Sequence, residues 1–251
     1  MKHLSLLCIV LAVSACGGPV ALSIQAERPV HLAKGLPGLD VADAALAGGL
    51  PDTALTITRG LLAANPANLP ALVKQGEVLL AMGRADAAAE SYQRALSIDA
   101  KSPETLLALG RMALAAGRAA EAEGLLRRLI VVAPANAVAQ NDLGIALDLQ
   151  DHHPDAQAAY RAALRLAPEM VAAQVNLGLS MALSGDSAHA LAILRPLATD
   201  PQGSLRTRND YAAALALSGD SDGAATLLAA AMPQDQATAQ VADFQALQAA
   251  P

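Results

Sequence analysis

Between residues 37 and 234 the apolar and polar positions follow a long rhythm. Each cycle holds two apolar sets at three- and four-residue spacing, for example Leu106, Leu109 and Ala113, then Ala122 and Leu126. That spacing lines one face of a helix, so each cycle predicts two helices. A short polar phrase around Gly117 separates them, and Pro134 follows the second. The next cycle repeats the order with Leu143 and Leu147, then Ala156 and Tyr160, closed by Pro168.

The cycle has a fixed length. Gly76, Gly110, Gly144 and Gly178 stand 34 residues apart. Gly83 and Gly117 keep the same interval, Asp151 takes the next slot, and Gly185 and Gly219 resume it. Ala54, Ala88, Ala122, Ala156, Ala190 and Ala224 form a third unbroken column. Three columns of different character predict one structural unit repeated, a pair of antiparallel helices A and B. Gly110 on A and Ala122 on B let the two backbones approach, with Leu109 and Leu126 around the contact. The phrase "ALSGDS", at 182–187 and again at 216–221, is then a turn. Its glycine ends helix A in a left-handed conformation that carries no steric penalty without a Cβ. Asp186 or Asp220 caps helix B, with Ser187 or Ser221 as the alternative cap. Pro66, Pro134 and Pro168 close helix B, because proline lacks a donor and disfavours helix in the residue before it.

These columns resemble the tetratricopeptide repeat, in which a Leu-Gly pair, a later Ala, an aromatic and a Pro recur at this interval. Tyr92 and Tyr160 fill the aromatic slot, and Leu126, Leu194 and Leu228 replace it elsewhere. The Trp slot holds no Trp, and Gln140 and Gln174 stand there in two units. The resemblance implies an all-α solenoid, a right-handed superhelix of antiparallel helix pairs. It covers residues 37–234 in about six units, the first and last degenerate. One unit cannot bury its outer apolar faces, so neighbours must stack. Residues 235–251 supply a capping helix, with an apolar edge of Val241, Phe244 and Leu247.

Composition agrees. The chain has 251 residues, 54% of them hydrophobic but only 2% aromatic. Abundant alanine favours closely packed helices over a β-sandwich. A formal net charge of −6, without a basic run, excludes nucleic acid as the expected partner.

The first residues have a different organisation. Lys2 precedes an apolar stretch at 4–13, too short to span a bilayer as a mature helix, and Val13, Ser14, Ala15 and Cys16 follow. A small-residue cleavage site ending in cysteine resembles the lipobox of bacterial lipoproteins, although Val stands where Leu is commoner. The resemblance implies a signal peptide over 1–15 and lipid attached to Cys16, the one cofactor-like group expected. Cys8 leaves with the signal, so the mature chain keeps a single cysteine and forms no internal disulfide. Several acyl chains on one residue give stable anchoring. Gly17 and Gly18 follow the cysteine, which by resemblance to enterobacterial sorting points to the outer membrane, facing the periplasm. Residues 16–36, with Pro19, Pro29 and Gly35, are expected to be a flexible tether. Twenty extended residues reach roughly 65–70 Å.

Candidate chemistry is sparse. No Gly-rich phosphate loop, H-E-x-x-H pair or nucleophile elbow is present, so neither an enzyme nor a metal site is expected. His152 and His153 are adjacent, point in different directions and fall in an A–B turn, which predicts solvent-facing histidines. What remains is a surface. By resemblance to the family, helix A lines a concave groove for a partner segment. Counting along the A helices places Glu77, Leu107 and Arg111 there, then Val138, Asn141, Ile145 and Asp148, then Val175, Asn176 and Leu179, and finally Asn209. Apolar residues mixed with asparagines suit a peptide whose side chains bury and whose backbone needs partners. Packing between neighbouring helices is the competing role for Val138, Ile145 and Leu179.

The stretches 176–198 ("NLGLSMALSGDSAHALAILRPLA") and 206–220 ("RTRNDYAAALALSGD") resemble the C-terminal repeats of the TadD lipoproteins of tight-adherence (Flp) pilus systems. That resemblance implies a non-enzymatic adaptor in pilus assembly, whose partner is the outer-membrane secretin or another assembly component. An adaptor for cell-wall hydrolases, similar to other outer-membrane repeat lipoproteins, is the alternative.

Overall fold

The structure, a computed structural model, describes residues 38–200 and 204–246. The signal segment 1–15, Cys16, the tether to residue 36, and Leu247 lie outside these residues. Among the described residues there are thirteen α-helices and no strand. They are α1 (Leu39–Ala47), α2 (Pro51–Ala64), α3 (Leu69–Ala81), α4 (Ala85–Ile98) and α5 (Pro103–Ala115). Then come α6 (Ala119–Val132), α7 (Ala137–Asp148), α8 (His153–Leu166), α9 (Val171–Leu183) and α10 (Ser187–Thr199). The chain ends with α11 (Leu205–Leu217), α12 (Ser221–Ala229) and α13 (Gln234–Ala246). Odd-numbered helices are the A helices and even-numbered ones the B helices.

Local chemistry sets these boundaries. Four A helices begin on a side-chain cap. The oxygens of Asn68, Ser102, Asn136 and Ser204 accept from Ala71, Thr105, Ala139 and Thr207 N–H at 3.2, 3.3, 2.9 and 3.1 Å. These caps recur at the 34-residue interval or twice it, and each satisfies an amide the helix leaves open. A helices end on left-handed residues: Gly83 at φ 70°, Gly185 at 88° and Gly219 at 91°. The chain then closes a Schellman turn, as in Arg84 N–H to Leu79 O at 2.8 Å. Asp151 fills the same slot at φ 61°, the one non-glycine with positive φ among the described residues. α2, α6 and α8 stop one residue before Asn65, Ala133 and Ala167 pass the chain to proline with ψ of 97°, 71° and 84°.

The capping of B helices is uneven. Asp220 accepts from Gly223 N–H at 2.9 Å, as its turn predicts. Asp186 does not cap; its carboxylate takes His189 Nδ1 at 2.8 Å instead.

The described residues form two compact bodies, one up to residue 116 and one from residue 117. In the first, α1 to α5 pack in chain order, and α1 also touches α3. In the second, α6 to α13 pack in chain order, and the A helices touch one another directly as α7–α9, α9–α11 and α11–α13. The six column alanines, Ala54 to Ala224, are fully buried. α11 lies among α9, α10, α12 and α13 and is buried on every side from Asp210 to Leu217. α13 covers it through Ala237, Val241 and Phe244, which the tail pattern predicts for the last two.

The column glycines differ from expectation in one respect. They make room for a side chain of the following B helix, not for its backbone. A Cβ on Gly76 would fall 2.5 Å from Tyr92 Cζ, and one on Gly178 would fall 2.7 Å from Leu194 Cγ. Gly144 faces Tyr160 in the same way. The glycine slot and the aromatic slot are thus one packing contact, sixteen residues apart along the chain.

Candidate partner-binding surface

The expected groove residues separate into two columns at the repeat interval. One is Leu107, Asn141, Val175 and Asn209; the other is Glu77, Arg111, Ile145 and Leu179. Helix rotation gives them different surroundings. Asn141 and Val175 are buried at 5% and 7% exposure, while Glu77, Arg111, Ile145 and Leu179 all remain half-buried. Leu107, Val138, Asn176 and Asn209 are half-buried as well. Half-buried apolar side chains such as Ile145 and Leu179 retain surface that a partner can cover.

In the second body the asparagines meet. Asn176 Nδ2 donates to Asn141 Oδ1 at 2.9 Å, tying α9 to α7. Asn141 Nδ2 in turn donates to Asp142 Oδ1 at 3.1 Å. The pair therefore holds neighbouring A helices in register, and Asn141 spends both ends of its amide inside the fold.

Asp148 is committed inward. Its Oδ2 accepts the Tyr160 hydroxyl at 2.8 Å. Its Oδ1 accepts Ser180 Oγ at 2.7 Å and lies 2.8 Å from His153 Nδ1. One carboxylate thus links α7, α8 and α9. Burial first, then the Asp148 charge, pushes the Tyr160 phenol well above its ordinary range. The hydrogen bond to Asp148 raises the His153 pKa, against the opposing pull of burial. His152 is solvent-exposed as expected, but His153 is not: its ring is half-buried because Asp148 draws it onto α7.

In the first body, Lys74 joins α3 to α1. Its ammonium lies 2.6 Å from Asp43 Oδ1 and also pairs with Glu77. Burial lowers the Lys74 pKa, but the two carboxylates together outweigh it and hold the group charged. Glu77 is therefore an ion-paired member of the strip.

Asp210 is the residue that the sequence reading missed. It sits on α11 at 4% exposure and accepts no hydrogen bond from the described residues. One repeat earlier the equivalent residue is Asn176, which reaches back to Asn141; one helix on, Asn141 is replaced by Val175, which offers no donor. Desolvation, only partly offset by Arg206, pushes the Asp210 carboxyl up to about 6. The repeat column 142, 176, 210 carries the signal, as a polar residue at a position the helices bury. Among the described residues no three metal-ligating side chains converge, and no helix is long and apolar enough to cross a membrane.

Tetratricopeptide repeat models match residues 39–103 and 142–204, 79–144, and 205–230. The chain belongs to the tetratricopeptide repeat family and is a scaffold for protein–protein interaction; members of the family are typically non-enzymatic. Its fold is similar to that of PilF from Pseudomonas aeruginosa, with a TM-score of 0.69 at 17% identity over 84% of this chain and 96% of that one. A tetratricopeptide repeat protein from Parabacteroides merdae matches with a TM-score of 0.69 at 14% identity, over 85% and 98% of the two chains. MamA from Desulfovibrio magneticus matches with a TM-score of 0.59 at 21% identity, over 62% and 89%. No curated protein matches the chain by sequence.

Proposed function

We propose that this chain is a lipid-anchored adaptor in the bacterial envelope that takes part in assembling a tight-adherence (Flp) pilus. Cys16 carries the lipid, the tether spaces the repeats from the outer membrane, and the repeats face the periplasm. The partner is a segment of the outer-membrane secretin or of another assembly component, held on the A helices without any chemical step. The observation that carries this reading is the combination of a lipobox ending at Cys16 with repeats whose fold is similar to PilF, a pilus protein by name, over 84% of the chain. The resemblance of 176–198 and 206–220 to the tight-adherence lipoproteins supports the same system.

On the strip, Ile145 and Leu179 are the residues proposed to bury partner side chains, since both keep exposed apolar surface at equivalent repeat positions. Asn209 offers a polar contact on the neighbouring A helix, α11. Crosslinking of the lipidated protein in envelopes, followed by mass spectrometry of the captured chains, tests the proposal. Secretin capture, lost in the Ile145→Asp, Leu179→Asp double variant with helicity preserved, is the expected result. Capture of cell-wall hydrolases in place of secretin, or capture indifferent to the double variant, overturns it.

A further inference from the structure

In the first body, residues of α2, α3 and α4 together with Arg84 line an open surface pocket of about 160 Å³ that plays no part in the strip. Arg59 on α2 and Arg84 and Arg94 at the two ends of the α4 lining project into its walls. The B helices α2 and α4 carry none of the residues assigned to the A-helix surface. We propose that the pocket is a second docking site, receiving a carboxylate side chain from an acidic segment of a protein partner.

The hydrogen-bonding inventory carries the inference. The guanidinium groups of Arg59 and Arg84 make no hydrogen bond or ion pair with any described residue, and Arg94 spends one arm on Pro66 O at 3.3 Å. Ser91 Oγ donates to Gln75 Oε1 at 3.1 Å, so Gln75 presents its amide N–H group as a further donor. Against these stands one acceptor, the Glu90 carboxylate, itself unpaired. Glu90 and Arg94 are a helical turn apart yet form no bond, which leaves both guanidinium and carboxylate open to an incoming group. The pocket therefore holds a surplus of donors and of positive charge over an apolar floor of Leu55 and Leu79. Guanidinium groups bind planar carboxylates through paired, charge-assisted bonds that strengthen where water is partly excluded.

Charge across the body favours a protein segment over a membrane. Residues 38–116 hold eight acidic side chains and six basic ones, so a broad anionic bilayer meets net repulsion. Asp52 and Asp86 stand exposed on the same two helices as the arginines. Exposed acids of this kind oppose a sheet of anionic headgroups more than a narrow segment that presents a single carboxylate.

The test uses the full chain and a dye-labelled peptide of alternating Glu and Leu, with binding read by fluorescence anisotropy. Binding is expected, whereas the matching Lys–Leu peptide shows none. The Arg59→Gln, Arg84→Gln double variant weakens it about tenfold, the size of one lost charge-assisted bond. Salt at about 0.5 M weakens it similarly, and Glu90→Gln strengthens it severalfold. Both arginines are solvent-exposed, so the variant keeps its helicity. Peptide affinity unchanged in the double variant overturns the proposal. So does arginine-dependent binding to phosphatidylglycerol vesicles without binding to the peptide.

Discussion

The ring of Tyr160 occupies the space where a side chain on Gly144 would begin. The two residues sit on consecutive helices, and the ring is sealed at 1% exposure. A methyl group at residue 144 gains helix propensity, about 1 kcal/mol. It also drives into a ring that has nowhere to move, and overpacking of this kind costs typically 1–3 kcal/mol. Overpacking wins. Gly144→Ala is expected to lower stability by up to about 2 kcal/mol in chemical denaturation followed by circular dichroism. Gly124→Ala is the control: nothing lies within 4 Å of a Cβ there. That exposed α6 position should gain roughly 0.5–1 kcal/mol.

Tyr160 is held at its other end by Asp148. Tyr160→Phe leaves the ring in place but removes a donor from a carboxylate oxygen inside the fold, a loss of roughly 1–2 kcal/mol. Asp148→Asn should cost at least as much, because it disturbs the Ser180 and His153 contacts together. If Asp148 acts only within the fold, partner capture by the Asn variant stays normal below its melting temperature. A capture defect at full helicity assigns Asp148 to the partner surface after all. The His153 pKa is raised in the folded chain. Its pairing with Asp148 therefore contributes fully below the ordinary histidine value of 6.5 and fades as pH rises through the higher folded value.

Asp151 stands with φ of 61° where five other turns place glycine. A left-handed conformation costs a residue with a Cβ about 1 kcal/mol, somewhat less for Asp. Asp151→Gly is expected to stabilise the chain by roughly 0.5 kcal/mol, and Gly185→Ala to destabilise it by about 1 kcal/mol. Paired thermal melts of the two variants check the sign of each.

Asp210 predicts an unusual pH response. Its carboxyl is raised from 3.8 to about 6 in the folded chain, so the folded state holds a proton that the unfolded chain releases. Stability at this site is full below about 3.8 and falls as pH rises towards 6. The difference amounts to roughly 2–3 kcal/mol. Asp210→Asn should remove that slope and melt higher than the parent chain at neutral pH. Equal melting temperatures at pH 7 would count against the buried, unpaired carboxylate.

Much of the architecture was legible before any helix was placed. The turn glycines, the buried alanine column and the proline stops each answer a local demand of the backbone, so each leaves a residue type at a fixed interval. The caps at Asn68, Ser102, Asn136 and Ser204 were equally legible, being one more column of short polar residues. The proposed partner strip was legible only as a set of positions. Asn141 and Ile145 look alike in the repeat pattern, yet one is shut against α9 and the other is half open.

The linear chain alone determined a helical pair of 34 residues, where its turns fall, and which positions must stay small. These follow from φ, from missing Cβ atoms and from missing donors, all of which belong to a residue and its near neighbours. Only the packed structure decided that Asp148 gathers partners 5, 12 and 32 residues away while Asp210 gathers none. The fate of a polar side chain on a helix depends on how the adjacent helix is rotated and what that helix presents, and no local spacing encodes it.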